Sequence, residues 1–124
     1  MIYLDTHVVV WLYGGLIEKL SDTAKSLINQ EEIYISPIVR LELQYLYEIE
    51  RITFSADDIL NDLSTRIGLN ICQRNFNSIV TQALTINWTR DPFDRLIVAH
   101  ALINHDIVIT KDNNILANYN YAKW

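Results

Sequence analysis

Short apolar segments alternate with longer amphipathic segments along this chain, and that alternation restricts its fold more than any other feature. Runs of three or four mostly apolar residues are typical of buried strands, whereas apolar residues spaced three and four positions apart are typical of helices. The strand candidates are Ile2–Leu4, Ile33–Ile35, Leu69–Cys72, Ile107–Thr110 and an edge segment, Tyr121–Trp124. The pattern predicts an α/β fold with three layers, α/β/α, around a mainly parallel sheet of roughly five strands.

The predicted helices have recognisable starts and ends. Ser36 and Asp91 are each followed by proline, so that an N-cap residue directly precedes a proline at the first helical position. Gly68 follows an amphipathic segment and is a typical helix terminator. The predicted helices cover residues 6–13, 22–29, 37–50, 56–67, 76–84, 92–104 and 113–118.

The composition fits one folded domain covering residues 1–124. Half of the residues are hydrophobic and only three are glycine, which supplies enough apolar side chain for a core. The single cysteine, Cys72, excludes an intrachain disulfide and is expected to be a small buried residue in a strand. No apolar run approaches the roughly 20 residues of a membrane-spanning helix, and no secretion signal precedes the first strand. We therefore expect a cytoplasmic protein that does not associate with membranes.

Four carboxylates lie at positions where apolar neighbours predict burial. Asp5 and Asp112 directly follow predicted strands, Glu42 lies in an apolar helical stripe, and Asp94 stands in the first turn of an apolar helix. Burying an unpaired ionised carboxylate is very costly, and the chain offers too few cations to pair all four locally. In parallel sheets the ligand site lies beyond the carboxyl ends of the strands. We therefore expect the four acids to meet at that edge and to bind a divalent metal.

Each acid also has an ordinary structural interpretation. Glu42 has only apolar helical neighbours three and four positions away, yet it could extend to solvent or pair with Arg40 or Arg95. Asp94 could sit at the third helical position, like the acid of a capping box, behind an Asp91 N-cap.

Asp5 and Asp112 could be ordinary turn or cap residues, because an aspartate after a strand is common. Four acids at one predicted edge are less expected by chance than any one of them.

Net charge is −5, which argues against passive nucleic-acid binding by a basic surface. Excluding the four acids, the chain has ten cationic and eleven acidic residues. Metal ions bound at the site would screen the four acids from a phosphate backbone.

The acids stand within motifs that resemble PIN-domain ribonucleases of the VapC toxin type. The resemblance extends over essentially the whole chain, and the Asp-Pro-Phe-Asp-Arg stretch is its most specific part. The motifs are Leu4-Asp5-Thr6-His7 with Trp11, Ser36 to Glu42, Arg90 to Ala99, Thr110-Lys111-Asp112, and the closing Tyr121 and Trp124.

The resemblance implies an endoribonuclease that needs Mg²⁺ or Mn²⁺ and acts as the toxin of a toxin–antitoxin pair. Its ligand positions map onto Asp5, Glu42, Asp94 and Asp112, with Asp91 as an additional acid and Thr110 as a hydroxyl that orients the last acid. Members of this family usually form homodimers and are silenced by a small antitoxin. These partners, and an RNA substrate, are expectations for this chain.

The chemistry expected at such a site is metal-assisted hydrolysis of a phosphodiester. One or two ions are both compatible with the four acids. Arg95 and Lys111 stand beside acids and are candidates for binding substrate phosphates, although they could equally serve to neutralise the acids.

The helix that carries Glu42 is apolar nearly all round, and its apolar residues cannot all face one sheet. Either the next helix covers the excess, or the helix contributes to an interface with a second subunit or an antitoxin segment. The apolar residues are Leu41, Leu43, Tyr45, Leu46, Tyr47 and Ile49.

Two other function classes compete with the nuclease. A phosphatase or phosphotransfer domain would use an aspartate after a strand, but Asp5-Thr6-His7 lacks a second aspartate two positions on. A non-catalytic RNA- or protein-binding module would have no reason to keep all four acids.

Overall fold

A computed structural model describes all residues from Met1 to Trp124. Its five strands form one sheet in the order β3-β2-β1-β4-β5, and every neighbouring pair is parallel. Helices cover the sheet, which confirms the predicted three-layer α/β fold. The strands are β1 (Ile2–Leu4), β2 (Ile33–Ile35), β3 (Asn70–Ile71), β4 (Ile107–Ile109) and β5 (Ala122–Lys123).

Seven α-helices and one short 3₁₀ turn connect the strands. The 3₁₀ turn, Ile17–Lys19, was not predicted from the sequence. The helices are α1 (Thr6–Tyr13), α2 (Asp22–Gln30), α3 (Pro37–Glu48), α4 (Ala56–Ile67), α5 (Phe76–Ala83), α6 (Pro92–Leu102) and α7 (Asn113–Asn118).

Two helices end about two residues before their predicted ends, where the backbone turns left-handed. Glu50 has φ 61° and follows α3, and His105 has φ 56° and follows α6. Gly68, with φ 71°, ends α4 as expected, because glycine adopts this conformation without a Cβ clash. Cys72 is buried but lies just beyond β3, where its N–H donates to Ile35 O at 2.9 Å.

The core lies on both sides of the central strand β1, whose three residues are completely buried. Helices contribute their apolar stripes to it; Leu43 of α3 and Ile97 of α6 are both 0% exposed. Truncating such a leucine to alanine costs about 2–5 kcal/mol, because it removes buried surface and leaves a cavity.

The topology brings four separate chain segments together at one edge of the sheet. Leu4 pairs with Ile109 at the carboxyl ends of β1 and β4, so the residues that follow these strands are neighbours. Helix α3 begins directly after β2 at the same edge, and α6 packs against α3. None of the helices is long and apolar enough to span a membrane.

Candidate metal centre

A cleft of about 420 Å³ opens at the carboxyl edge of β1 and β4. Five carboxylates border it together with one lysine, and the remaining lining residues all belong to α1. The nine lining residues are Asp5, His7, Val8, Trp11, Glu42, Asp91, Asp94, Lys111 and Asp112. The four acids expected to meet, and the additional Asp91, therefore border one cleft.

Asp5 is the most buried of these acids, with 9% of its surface exposed. It is the N-cap of α1 and accepts from Thr6 N–H at 2.7 Å through Oδ1. Its Oδ2 accepts from the Thr110 hydroxyl at 2.7 Å. Burial raises the pKa of Asp5, and these two hydrogen bonds oppose that increase by stabilising the ionised form. The carboxylate is thus held in one orientation by residues that follow β1 and β4.

Glu42 extends from α3 towards α1, where the Thr6 hydroxyl donates to its Oε1. Burial is the main reason that the pKa of Glu42 is raised, and the neighbouring charge of Asp5 adds to it. The two salt bridges considered for Glu42 do not form. Arg40 pairs with Asp57 at 2.8 Å, and Arg95 donates to Ala83 O at 3.0 Å.

Asp94 is the least satisfied acid of the cleft. Its backbone N–H bonds to Asp91, but its own carboxylate accepts no hydrogen bond from the protein. Burial, followed by repulsion from Asp91 and then from the other cleft acids, raises the pKa of Asp94 to about 7. Asp94 is half-buried, is repelled by the neighbouring acids and accepts no hydrogen bond. A bound cation would stabilise such a carboxylate.

Asp91 and Asp112 each cap a helix with one carboxylate oxygen. Oδ1 of Asp91 accepts from Phe93 N–H at 2.8 Å at the start of α6, and Oδ1 of Asp112 accepts from Ile115 N–H at 2.9 Å at the start of α7. The second oxygen of each has no protein partner, so capping does not exclude either acid from binding a ligand. The structure therefore gives Asp91 the capping role and also a place at the cleft.

Thr110 supports the cleft from below without lining it. Its side chain is completely buried, and its hydroxyl donates to Asp5 while accepting from Asp112 N–H at 3.0 Å. One threonine therefore links the two acids that follow β1 and β4. The two candidate phosphate-binding cations differ in position: Lys111 lines the cleft, whereas Arg95 points to the end of α5 and does not.

The donor set fits a hard divalent cation better than a soft one, because it consists of carboxylate oxygens without cysteine. No group of three or more side chains is close enough to hold an ion by direct contacts alone. Mg²⁺ does not require three direct protein ligands, because it keeps several water molecules and takes one or two protein carboxylates. No salt bridge neutralises the five acids from within the protein.

Thr6, His7 and Trp11 belong to the motifs noted in the sequence, but nothing in the sequence assigned any of them a contact or a role at the site. Thr6 contacts Glu42 across 36 positions, and only the packing of α1 against α3 creates that contact. His7 and Trp11 are four residues apart on α1, a spacing that places them on one face, but nothing local shows that the face borders the acids.

Comparisons with known proteins agree with this architecture. The PIN-domain family model matches residues 2–120. The chain is similar to a solved structure of VapBC2 from Rickettsia felis bound to a DNA fragment from its promoter. The two are 20% identical over 99% of this chain and 98% of that one, with a TM-score of 0.67. It is also similar to a toxin–antitoxin complex from Klebsiella pneumoniae, at 17% identity over 100% and 97% of the chains, with a TM-score of 0.69. No curated protein sequence matches the chain.

Proposed function

The chain belongs to the PIN-domain family, and from that premise we propose that it is a divalent-metal-dependent endoribonuclease acting as the toxin of a toxin–antitoxin pair. One observation carries the proposal: five carboxylates that form no salt bridge border a single cleft at the carboxyl edge of the sheet. Such a site is unfavourable unless a cation occupies it. A phosphatase that uses one aspartate, or a module that only binds, does not require this accumulation.

Asp5 and Asp94 are the proposed direct metal ligands. Asp5 is pre-oriented by Thr6 and Thr110, and Asp94 has both carboxylate oxygens free of protein partners. Glu42 and Asp112 would bind directly or through water, with Asp91 as an additional acid. When bound, Mg²⁺ or Mn²⁺ supplies Lewis acidity at the scissile phosphoryl group and lowers the pKa of an attacking water molecule.

The protein's own residues account for orientation and substrate binding. The Thr6 hydroxyl donates to Glu42, and the Thr110 hydroxyl donates to Asp5 and accepts from the Asp112 N–H. Glu42 and Asp5 therefore do not have to reorient when substrate binds. Lys111 is the proposed phosphate-binding cation, because it borders the cleft and forms no ion pair.

An antitoxin and a second copy of the chain are the proposed protein partners. Helix α4 packs on α3, but several apolar side chains of α3 and of the residue that follows it stay exposed. The exposed fractions are 59% for Leu41, 49% for Tyr45, 44% for Ile49 and 41% for Tyr47. Exposed apolar surface of this kind is typical of interaction sites. The similar solved structures are toxin–antitoxin complexes, which supports the antitoxin as a partner. An RNA substrate would place the protein in the cytoplasm.

The test is cleavage of total RNA by purified, antitoxin-free protein with Mg²⁺, with Mn²⁺ and with EDTA. We expect discrete fragments that require metal and that disappear with Asp94→Asn. Asp58→Asn is the matched control, because Asp58 stands in the first turn of α4 as Asp94 does in α6, but outside the cleft. Cleavage that persists in EDTA or in Asp94→Asn would contradict the proposal.

A further inference from the structure

Strand β5 is a short edge strand that reaches the acid cleft through two separate contacts. It spans only two residues and pairs with β4 alone. Ala122 is half-buried and Lys123 is exposed, so little apolar burial holds the strand in place. Segments with few buried contacts open more readily than the core of a protein. The residues that β5 holds are therefore expected to respond when it opens.

The first contact is a single peptide group that lies between β5 and the backbone of Asp5. The N–H of this group belongs to Thr110 and donates to Lys123 O at 3.1 Å. Its carbonyl, Ile109 O, accepts from Asp5 N–H at 3.0 Å. Because a peptide group is planar, its N–H and its carbonyl cannot turn independently. The position of Lys123 therefore constrains the backbone of Asp5.

The side chain of Thr110 extends this constraint to the acid itself. Its hydroxyl donates to Asp5 Oδ2 at 2.7 Å and accepts from Asp112 N–H at 3.0 Å. Opening of β5 would release the Thr110 N–H, and with it the residue that orients both acids. A change at an exposed strand would in this way reach a site that is itself buried.

The second contact is between two tryptophan side chains. Trp124 directly follows β5 and packs edge-on against Trp11, with ring centroids 5.8 Å apart. Trp11 lines the cleft and belongs to α1, the helix that Asp5 caps. Edge-on packing is a favoured arrangement of aromatic pairs. The pair therefore fastens β5 to the helix whose first turn carries the site.

The other edge strand, β3, has no such connection. It also spans two residues, and after it the Cys72 N–H donates to Ile35 O at 2.9 Å. None of the residues 70–72 lines the acid cleft. Two edge strands of equal length thus differ in whether they reach the site.

We propose that residues 122–124 position the metal site, so that docking of β5 and binding of the metal stabilise each other. Lys123 acts through its carbonyl on Thr110, and Trp124 acts through its ring on Trp11. Both are positioning residues, since neither lines the cleft. The coupling is reciprocal: the factor by which docking raises metal affinity is the factor by which metal favours docking. This inference rests on the metal site of the proposed function, but not on the cleavage of RNA.

The first test is hydrogen exchange of the backbone amides of the wild-type protein, followed by NMR with and without Mg²⁺. We expect Mg²⁺ to slow exchange of the Thr110 amide on the order of tenfold, because metal favours the docked strand. The Cys72 amide is the matched control, since it bonds to Ile35 at the other edge of the sheet and should change little. Equal slowing of the two amides, or an unchanged Thr110 amide, would overturn the inference.

The second test is the affinity for Mn²⁺, measured by isothermal titration. Trp124→Ala should weaken Mn²⁺ binding on the order of tenfold, the range seen when groups that orient metal ligands are removed. Trp124→Phe should retain most of the affinity, because phenylalanine can keep the edge-on contact. Phe54→Ala is the matched control and should not change the affinity. Phe54 also packs edge-on against α1, with its ring centroid 5.3 Å from that of Tyr13, but Tyr13 does not line the cleft.

The outcomes separate the positioning role from the proposed function. If Asp5→Asn loses Mn²⁺ binding while Trp124→Ala binds like the wild type, the positioning inference fails and the metal site stands. Equal weakening by Trp124→Ala and Phe54→Ala would also overturn the inference, because it would show a general loss of stability. A wild-type protein that binds no metal would overturn both proposals. Metal binding that depends on Trp124, found without any RNA cleavage, would contradict the nuclease and support the positioning role.

Discussion

The two edges of the sheet both contain partly buried charges, but only one edge neutralises them. At the amino edge, Arg74 donates to His100 O at 2.7 Å, pairs with Asp106 at 3.4 Å and lies over the Tyr3 ring at 5.8 Å. At the carboxyl edge, five acids share a cleft without a salt bridge. A partly buried charge therefore does not by itself identify a functional site. A partly buried charge without an ion-pair partner in the protein does.

The largest expected effect is the loss of cleavage in Asp5→Asn. Asparagine still caps α1 and fills the same space, but it removes the charge that the proposed metal requires. We expect no RNA cleavage and a circular dichroism spectrum like that of the wild type. Normal cleavage by a clean preparation would show that the carboxyl edge is not the active site.

At the amino edge, Arg74→Ala should cost stability. It leaves Asp106, whose side chain is only 16% exposed, without its cation, and we expect a loss of about 2–4 kcal/mol in the free energy of unfolding. Urea denaturation measures this. Arg66→Ala is the matched control, because the Arg66–Asp62 pair is exposed and should change the free energy of unfolding much less. If Arg74→Ala and Arg66→Ala lower the free energy of unfolding equally, the Arg74–Asp106 pair contributes no more than an exposed surface pair.

Thr110→Val tests the support beneath the acids. Valine keeps the shape of threonine but loses the bonds to Asp5 and to Asp112 N–H, so we expect a stability loss of about 1–2 kcal/mol. Metal affinity should fall roughly tenfold or more, because the hydroxyl orients a proposed ligand. Isothermal titration with Mn²⁺ measures the affinity. Thr110→Ser keeps the hydroxyl and should retain most of it; if serine and valine behave alike, the hydroxyl does not position Asp5.

The smallest expected effect is the pH dependence of the metal-free protein. The pKa of Asp94 is raised from 3.8 to about 7, so the folded state binds its proton more tightly than the unfolded state. Without metal, the contribution of Asp94 to stability should therefore decrease as pH rises from 3.8 to about 7 and then level off. Thermal melts in EDTA between pH 5 and pH 8 measure this.

Asp94→Asn should flatten that dependence and stabilise the metal-free protein at pH 8. The side chain is only half-buried, so solvent screening limits the gain to about 1 kcal/mol, or on the order of 4 °C in Tm. Added Mg²⁺ should stabilise the wild type more at pH 8 than at pH 5, because the acids are then ionised. The same pH dependence of the melting temperature for the wild type and Asp94→Asn in EDTA would contradict the raised pKa of Asp94.

Local signals in the sequence were enough to predict the five strands and seven α-helices and their order along the chain. Strand and helix periodicity, the Ser36-Pro37 and Asp91-Pro92 starts and the Gly68 end are local signals, because caps and turns depend on residues a few positions apart. The sequence also identified the acids that the cleft brings together, since an acid within an apolar pattern has no good local solution.

The tertiary structure alone decided which side chains meet. It placed α6 so that Asp94 lines the same cleft as Asp5, and it brought Trp11 to that cleft. It also joined Thr6 to Glu42 and directed Arg95 towards Ala83. These contacts join residues far apart in the chain, and they depend on how helices pack on the sheet. No local pattern encodes that packing, because it is set by the fit of the whole core.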